Sequence, residues 1–176
     1  ESVELLESIG NPIYKISSFH VTDLDLIRAI CKTGKPIIIS TGMSTEEEVD
    51  KAVSLIRESS KDFAVLHCVS SYPTEDDDVN LRVIPTLKEK YDCPIGYSGH
   101  EYDLEPSVIA VALGAQIIER HITLDHNMWG TDQRASLTIT GMDRLYNRIK
   151  DISVMLGKPE KIVTPGEKEI RRKLRK

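Results

Sequence analysis

An α/β fold built on a parallel sheet is what this sequence predicts, and three observations carry the prediction. Five short runs rich in Ile and Val recur along the 176 residues, their starts 22 to 31 positions apart. Each is apolar at consecutive positions rather than at alternate ones, as expected of strands buried on both faces. Amphipathic stretches of helical period fill the intervals, and such alternation is the pattern of βα units.

In chain order, ESVELLESIG (1–10) has the period of a helix leading into the first strand, PIYKIS (12–17). TDLDLIRAICKTG (22–34) is a helix with Gly34 at its end, followed by the strand PIIIST (36–41). STEEEVDKAVSLIRES (44–59) opens with Ser44 and Glu47 at the spacing of a capping box. The strand FAVLHCV (63–69), the helix VNLRVIPTLKEKY (79–91) and the strand PIGYS (94–98) follow. EPSVIAVALGA (105–115) is a helix ending near Gly114, and QIIERHI (116–122) is the fifth strand. A polar loop with the single Trp129 then leads to a last long helix, GMDRLYNRIKDISVMLG (141–157). The basic tail PGEKEIRRKLRK (165–176) reads as a linker or a solvated helix.

Two architectures fit this order. One is a small doubly wound parallel sheet; the other is part of a (β/α)8 barrel. A whole barrel takes about 250 residues, so this chain would supply five of its eight strands. The pattern leaves both open.

Composition excludes other classes. A net charge of -5 disfavours a nucleic-acid binder, whose phosphate contacts need a basic surface. No apolar run approaches the roughly 20 residues that would span a membrane. Cys31, Cys68 and Cys93 are far apart and form no CxxC pair, which fits small buried residues in a reducing, cytoplasmic compartment. Position 1 is Glu and lies within a helical pattern, so it reads as an internal residue of a longer chain.

In either architecture, function belongs at the C-terminal ends of the strands. Those ends carry Lys15, Ser17 and Ser18; Ser40, Thr41 and Gly42; His67, Cys68, Ser70 and Tyr72; Ser98, Gly99 and His100; and Glu119, Arg120 and His121. Five polar ends converging on one mouth point to a site, and hydroxyls with a lysine around a glycine turn suit an anionic phosphate. Ser40 and Thr41 also read as helix-capping residues. His100 and His121, on neighbouring strands, are candidate ligands of one metal ion, although two histidines without a carboxylate serve equally well as structural residues. By strand alternation Glu119 points the same way as His121, placed to orient it or a water. His67 reads as a hydrogen-bonded core residue, and His20 and His126 as loop residues. Trp129 with Asp132 suits either a polyhydroxy substrate or loop packing.

The motifs YKISSFHVTDLDLI, GKPIIISTGMSTEEEV, LHCVSSYPT, GYSGH and IERHITLDHNMWGTDQRASL, in this order over residues 1 to about 160, resemble the sialic acid synthase family. That family includes N-acetylneuraminate synthase, the legionaminic and pseudaminic acid synthases and spore coat polysaccharide proteins. The resemblance implies the barrel, here its strands four to eight, with residues 161–176 a linker towards a C-terminal antifreeze-like domain. It implies an enzyme that condenses phosphoenolpyruvate with an N-acylated amino sugar to a nonulosonic acid and phosphate. His100 and His121 match the ligands of a divalent metal, typically Mn2+, with Mg2+ or Co2+ as alternatives. Lys15, Ser18, Ser40, Ser70 and Ser98 match phosphoenolpyruvate-binding positions; some members carry Asn where Ser70 stands. Tyr72 and Asp132 match positions facing the sugar, and His20 stands where some members have an acidic sugar-binding residue. Full-length members are domain-swapped homodimers. Two rivals remain: a Schiff-base aldolase with Lys15 as nucleophile, and a non-catalytic phosphate-binding fragment. The 176 residues alone are expected to be inactive, since the barrel would be open and part of the site missing.

Overall fold

The computed structural model describes residues 1–59 and 62–175, so Lys176 at the end of the basic tail lies outside the described residues. Helix α1 (Ser2–Ser8) precedes β1 (Tyr14–Ile16), and then come α2 (Leu24–Cys31), β2 (Ile37–Ser40), α3 (Glu46–Ser59) and β3 (Phe63–Cys68). They are followed by α4 (Val83–Lys90), β4 (Ile95–Gly99), α5 (Glu105–Ala112), β5 (Ile117–Arg120), α6 (Ile139–Leu156) and α7 (Pro165–Leu174).

All five strands are parallel and lie in the order β1-β2-β3-β4-β5. This decides between the two architectures. A doubly wound sheet reverses strand order partway, which sends helices to both faces. Here each strand is added beside the last, and crossovers of one hand then keep every helix on one face. The other face is free to curl inward, giving the half-barrel of a partial (β/α)8 fold. The doubly wound alternative is overturned by strand order.

Register assigns each strand residue to a face. Tyr14, Ile16, Ile37, Ile39, Phe63, Val65, Ile95 and Tyr97 pack in one core with Ile27, Ile30, Val49, Ala52, Val53, Ile56, Ile84, Leu87 and Ala110 of the helices. Each isoleucine or valine buried there contributes about 1.5–3 kcal/mol relative to exposure. The intervening residues, among them Lys15, Ser40, Cys68, Ser98 and Glu119, belong by parity to the inner face.

The helix ends show one slip of a single residue. The capping box of α3 is Thr45 with Glu48, not Ser44 with Glu47: Thr45 N donates to Glu48 Oε2 at 2.8 Å and Glu48 N to Thr45 Oγ1 at 3.4 Å. The Ser44 hydroxyl instead donates to the Gly42 carbonyl. Gly34 and Gly114 end α2 and α5 at φ of +68° and +102°. Helix α6 packs on α5 but buries only Leu145. The basic tail forms α7 behind a Thr164–Glu167 capping box, with no buried residue. Among the described residues no helix is long and apolar enough to cross a membrane.

Candidate active site

The polar ends of the five strands meet in a cavity of about 410 Å³ on the inner face. Lys15, Ser18, Ser40, Ser70, Tyr72, Ser98, His100, Glu119, His121 and Asp132 all line it. Residues up to 117 apart in sequence thus come together because parallel strands end on one side.

One half of the cavity is built of hydroxyls. Gly42 N donates to Ser18 Oγ at 3.0 Å, and Ser18 Oγ lies 3.3 Å from Cys68 Sγ. A methyl group on Gly42 would lie 2.1 Å from Ser70 Oγ and 2.9 Å from Ser18 Oγ, so a glycine is required for these hydroxyls to close together. Ser40 is buried and its Oγ has no hydrogen-bond partner among the described residues. A buried, unsatisfied hydroxyl is costly unless a ligand completes it. On the cavity floor the register sets Cys68, Ser98 and Glu119 side by side. Ser98 Oγ donates to Glu119 Oε1 at 2.7 Å, and Lys15 Nζ lies 3.5 Å from the same oxygen.

The other half is aromatic. The His100 and His121 ring centroids are 5.2 Å apart, and Tyr72 stacks at 4.2 Å from His100 and 5.8 Å from His121. His100 Nδ1 lies 2.9 Å from the Val69 carbonyl, to which it donates, so Nε2 carries the lone pair. His121 Nδ1 lies 3.8 Å from Asp132 Oδ2. Burial disfavours charge on both rings, but their neighbours differ. His100 is raised above the ordinary imidazole value because Cys68 and the Val69 carbonyl outweigh burial. His121 is lowered by burial and by His100. Burial also opposes the Cys68 thiolate, yet hydrogen bonds from His100 and Ser18 bring its pKa below the usual thiol range.

Not every polar strand end faces the mouth. Thr41 spends its hydroxyl on the Leu66 carbonyl at 3.0 Å, so it neither caps a helix nor faces the cavity. Arg120 turns outward into a buried ion pair with Glu101, which parity requires of a residue between Glu119 and His121. Glu119 and His121 do share the cavity, but the partners of Glu119 are Ser98 and Lys15, whereas that of His121 is Asp132. His67 is the expected core residue, 2.8 Å from the Val79 carbonyl. His20 meets Ser17 and His126 the Ser136 carbonyl. Trp129 is 98% exposed, which rules out loop packing, and it does not line the cavity. The three cysteines are free; Cys31 and Cys68 are buried and Cys93 partly so.

Cys68, Met43 and Phe19 also line the cavity; Cys68 stood among the polar strand ends but was given no role there, and Met43 and Phe19 were not singled out from the sequence. The signal for Cys68 was parity: it lies two residues beyond Leu66, on the inner face. Met43 sits in a turn and Phe19 in the short 3-10 helix Ser18–His20, and neither had one.

Sequential parallel strands, helices on one side and a polar mouth at the strand ends define part of a (β/α)8-barrel protein with its site at the C-terminal face. The chain belongs to the NeuB family, whose model it matches over residues 1–161. It is 37% identical to human N-acetylneuraminate-9-phosphate synthase over 176 residues, covering 99% of this chain and 49% of that protein. It is likewise 37% identical to N,N'-diacetyllegionaminic acid synthase of Campylobacter jejuni, covering 96% of this chain and 52% of that one. The structure of the N-acetylneuraminic acid (sialic acid) synthetase of Leptospira borgpetersenii, in complex with citrate, superposes with a TM-score of 0.87 at 37% identity, over 99% of this chain and 62% of that one. The chain spans about half the length of the curated relatives it matches.

Proposed function

We propose that this segment forms the phosphate- and carbonyl-handling half of a synthase that condenses phosphoenolpyruvate with an N-acylated amino sugar, N-acetylmannosamine or a relative, releasing phosphate by C–O cleavage. The observation that carries the reading is the single cavity in which hydroxyls and Lys15 lie on one side and paired imidazoles on the other. Residues 1–160 are the barrel portion and 161–176 the link to a further domain.

In this reading Lys15 with Ser18, Ser40, Ser70 and Ser98 holds the phosphate and carboxylate of phosphoenolpyruvate. The unpartnered Ser40 hydroxyl and the crowding around Gly42 fit a preformed anion cradle. Tyr72 and Asp132 face the sugar. The methylene carbon attacks the open-chain aldehyde, water adds to the resulting cation at C2, and phosphate departs. Glu119, fixed by Ser98 and Lys15, orients that water.

His100 and His121 would hold a divalent cation, Mn2+ in the first instance. The donor chemistry fits, since the Val69 hydrogen bond leaves His100 Nε2 free. Among the described residues no three His, Cys, Asp or Glu side chains form a ready-made metal site, so water and substrate would supply the remaining ligands. Held there, the ion would supply Lewis-acid polarisation of the sugar carbonyl.

Lys15 Nζ lies in a polar, part-exposed mouth beside a carboxylate, not in the apolar pocket that makes a lysine nucleophilic. Borohydride with pyruvate should therefore trap no adduct on Lys15. The deciding assay is phosphate release from phosphoenolpyruvate and N-acetylmannosamine with Mn2+, using the full native chain. Replacing His100 or His121 by Ala should abolish metal-dependent turnover and Mn2+ binding while helix content is kept. Unchanged Mn2+ binding in both variants would remove the metal assignment.

A further inference from the structure

Main-chain pairing between β4 and β5 ends at Gly99↔Arg120. His100 and His121 are the next residues on each strand, beyond the last ladder partner, yet their rings stand side by side. Something other than the ladder must fix their separation. Thr74 N and Leu137 N hold the His100 and His121 carbonyls, one each. The side chains that tie these two strand ends to each other, however, adjoin them: Glu101 follows His100, and Arg120 precedes His121.

Both side chains are 1% exposed and pair at 2.8 Å between Arg120 Nη1 and Glu101 Oε1. The guanidinium reaches further along the loop after β4. Nη1 lies 3.0 Å from the Asp103 carbonyl, and Nη2 donates to the main-chain carbonyl of Glu101 itself. The carboxylate is held in turn by Tyr97 Oη at 2.9 Å and Ser107 Oγ at 3.1 Å. Gly99 leaves room for it, because a methyl there would lie 2.6 Å from Glu101 Oε2. The arrangement is thus anchored to β4, to α5 and to the loop backbone together. A buried ion pair is weak evidence for stability, since desolvation offsets its attraction. What such a pair does well is fix geometry, and planar Arg with several acceptors is suited to that.

We propose that Glu101 and Arg120 are positioning residues which continue the β4–β5 register beyond its last hydrogen bond, and so set the spacing of His100 and His121 for a divalent cation. The proposal rests on the metal reading above. Neither residue lines the cavity. Their effect is on the alignment of the imidazoles and reaches them through the main chain; groups that hydrogen-bond metal ligands directly are typically worth about 10- to 100-fold in affinity, which sets the upper end of the effect.

The test is Mn2+ titration by calorimetry in the full native chain, with Co2+ absorption as a probe of ligand geometry and phosphoenolpyruvate titration as the internal control. Arg120→Lys keeps the charge but loses the fork, and should weaken Mn2+ about 10- to 100-fold and alter the Co2+ bands. Phosphoenolpyruvate affinity, set by Lys15 and the serines, should stay within about threefold. Glu101→Gln should act in the same direction. If these variants fail to fold, Ser107→Ala and Tyr97→Phe decide, since each trims one hydrogen bond from the carboxylate and keeps both charges; a several-fold loss of Mn2+ affinity is expected. Mn2+ affinity within twofold of wild type in every folded variant would overturn the proposal. So would a parallel loss of Mn2+ and phosphoenolpyruvate affinity, which is the mark of a merely structural role. If His100→Ala and His121→Ala bind Mn2+ as wild type does, the metal reading itself falls and takes the proposal with it.

Discussion

Gly42→Ala is the sharpest probe of the hydroxyl cradle, because it adds one methyl group and changes no charge. Gly42 is buried, and its φ lies outside the left-handed range, so alanine fits the backbone and the effect is steric alone. The new methyl would sit 2.1 Å from Ser70 Oγ, 2.9 Å from Ser18 Oγ and 3.0 Å from Cys68 Sγ, where ordinary contact starts at 3.4 Å. Ser70 must therefore move by more than 1 Å and Ser18 by about half that. All three contacts are ends of short side chains, so the fold should survive at the lower end of the overpacking cost, about 1 kcal/mol. A hydrogen bond to a charged group is worth about 1.5–3 kcal/mol. Losing one and weakening a second amounts to roughly 2–4 kcal/mol, and at 1.4 kcal/mol per tenfold that is about 30- to 700-fold in phosphoenolpyruvate affinity. The assay is calorimetric titration of phosphoenolpyruvate, with thermal unfolding measured alongside. Adding Ser70→Gly should restore stability without restoring affinity. A folded Gly42→Ala protein that binds phosphoenolpyruvate within about threefold of wild type would show that the cradle does not hold the phosphate.

Lys15→Met should weaken phosphoenolpyruvate roughly 10- to 100-fold, since it removes a charge-assisted contact of about 1.5–3 kcal/mol, and should leave the amino-sugar constant nearly unchanged. The reverse pattern in steady-state kinetics would move Lys15 to the sugar side. His67 gives a pH prediction. Burial lowers its pKa below the ordinary value of 6.5, against the opposing Val79 hydrogen bond. The unfolded chain therefore binds the proton more readily than the folded one, so this stabilisation is full above about pH 6.5 and is lost as pH falls through the folded value. The midpoint of thermal unfolding should drop more between pH 7.5 and 5.5 in wild type than in His67→Gln, which keeps a donor for Val79 but does not titrate. Equal drops would show that His67 is not the acid-sensitive group.

Much of the site was legible because parallel strands obey simple rules. Ile and Val runs gave the strands, and the end of each run named its polar residues, so Lys15, Ser40, Ser98, Glu119 and His121 could be read as neighbours although they span 107 positions. Ser70 and Tyr72 were read with the polar end of the third strand and Asp132 with the Trp129 loop, but which ligand each would face came only from the resemblance, because motif order carries what periodicity does not. Thr41 and Arg120 were read too generously. A residue next to a strand end is polar for either of two reasons, and composition does not say which face it takes.

The sequence by itself determined the element order, the parallel sheet and the family, because local periodicity and motif spacing are properties of the chain in one dimension. Strand order, and with it the choice of half-barrel over doubly wound sheet, was decided only in three dimensions, since either order satisfies the same hydrophobic pattern. The same holds for the partners of the charged groups. Lys15 meets Glu119 across the curled sheet, and Arg120 meets Glu101 behind it. Those pairings depend on register and on which way each side chain leaves the strand, and a pairing energy falls off over a few ångströms that no sequence separation encodes.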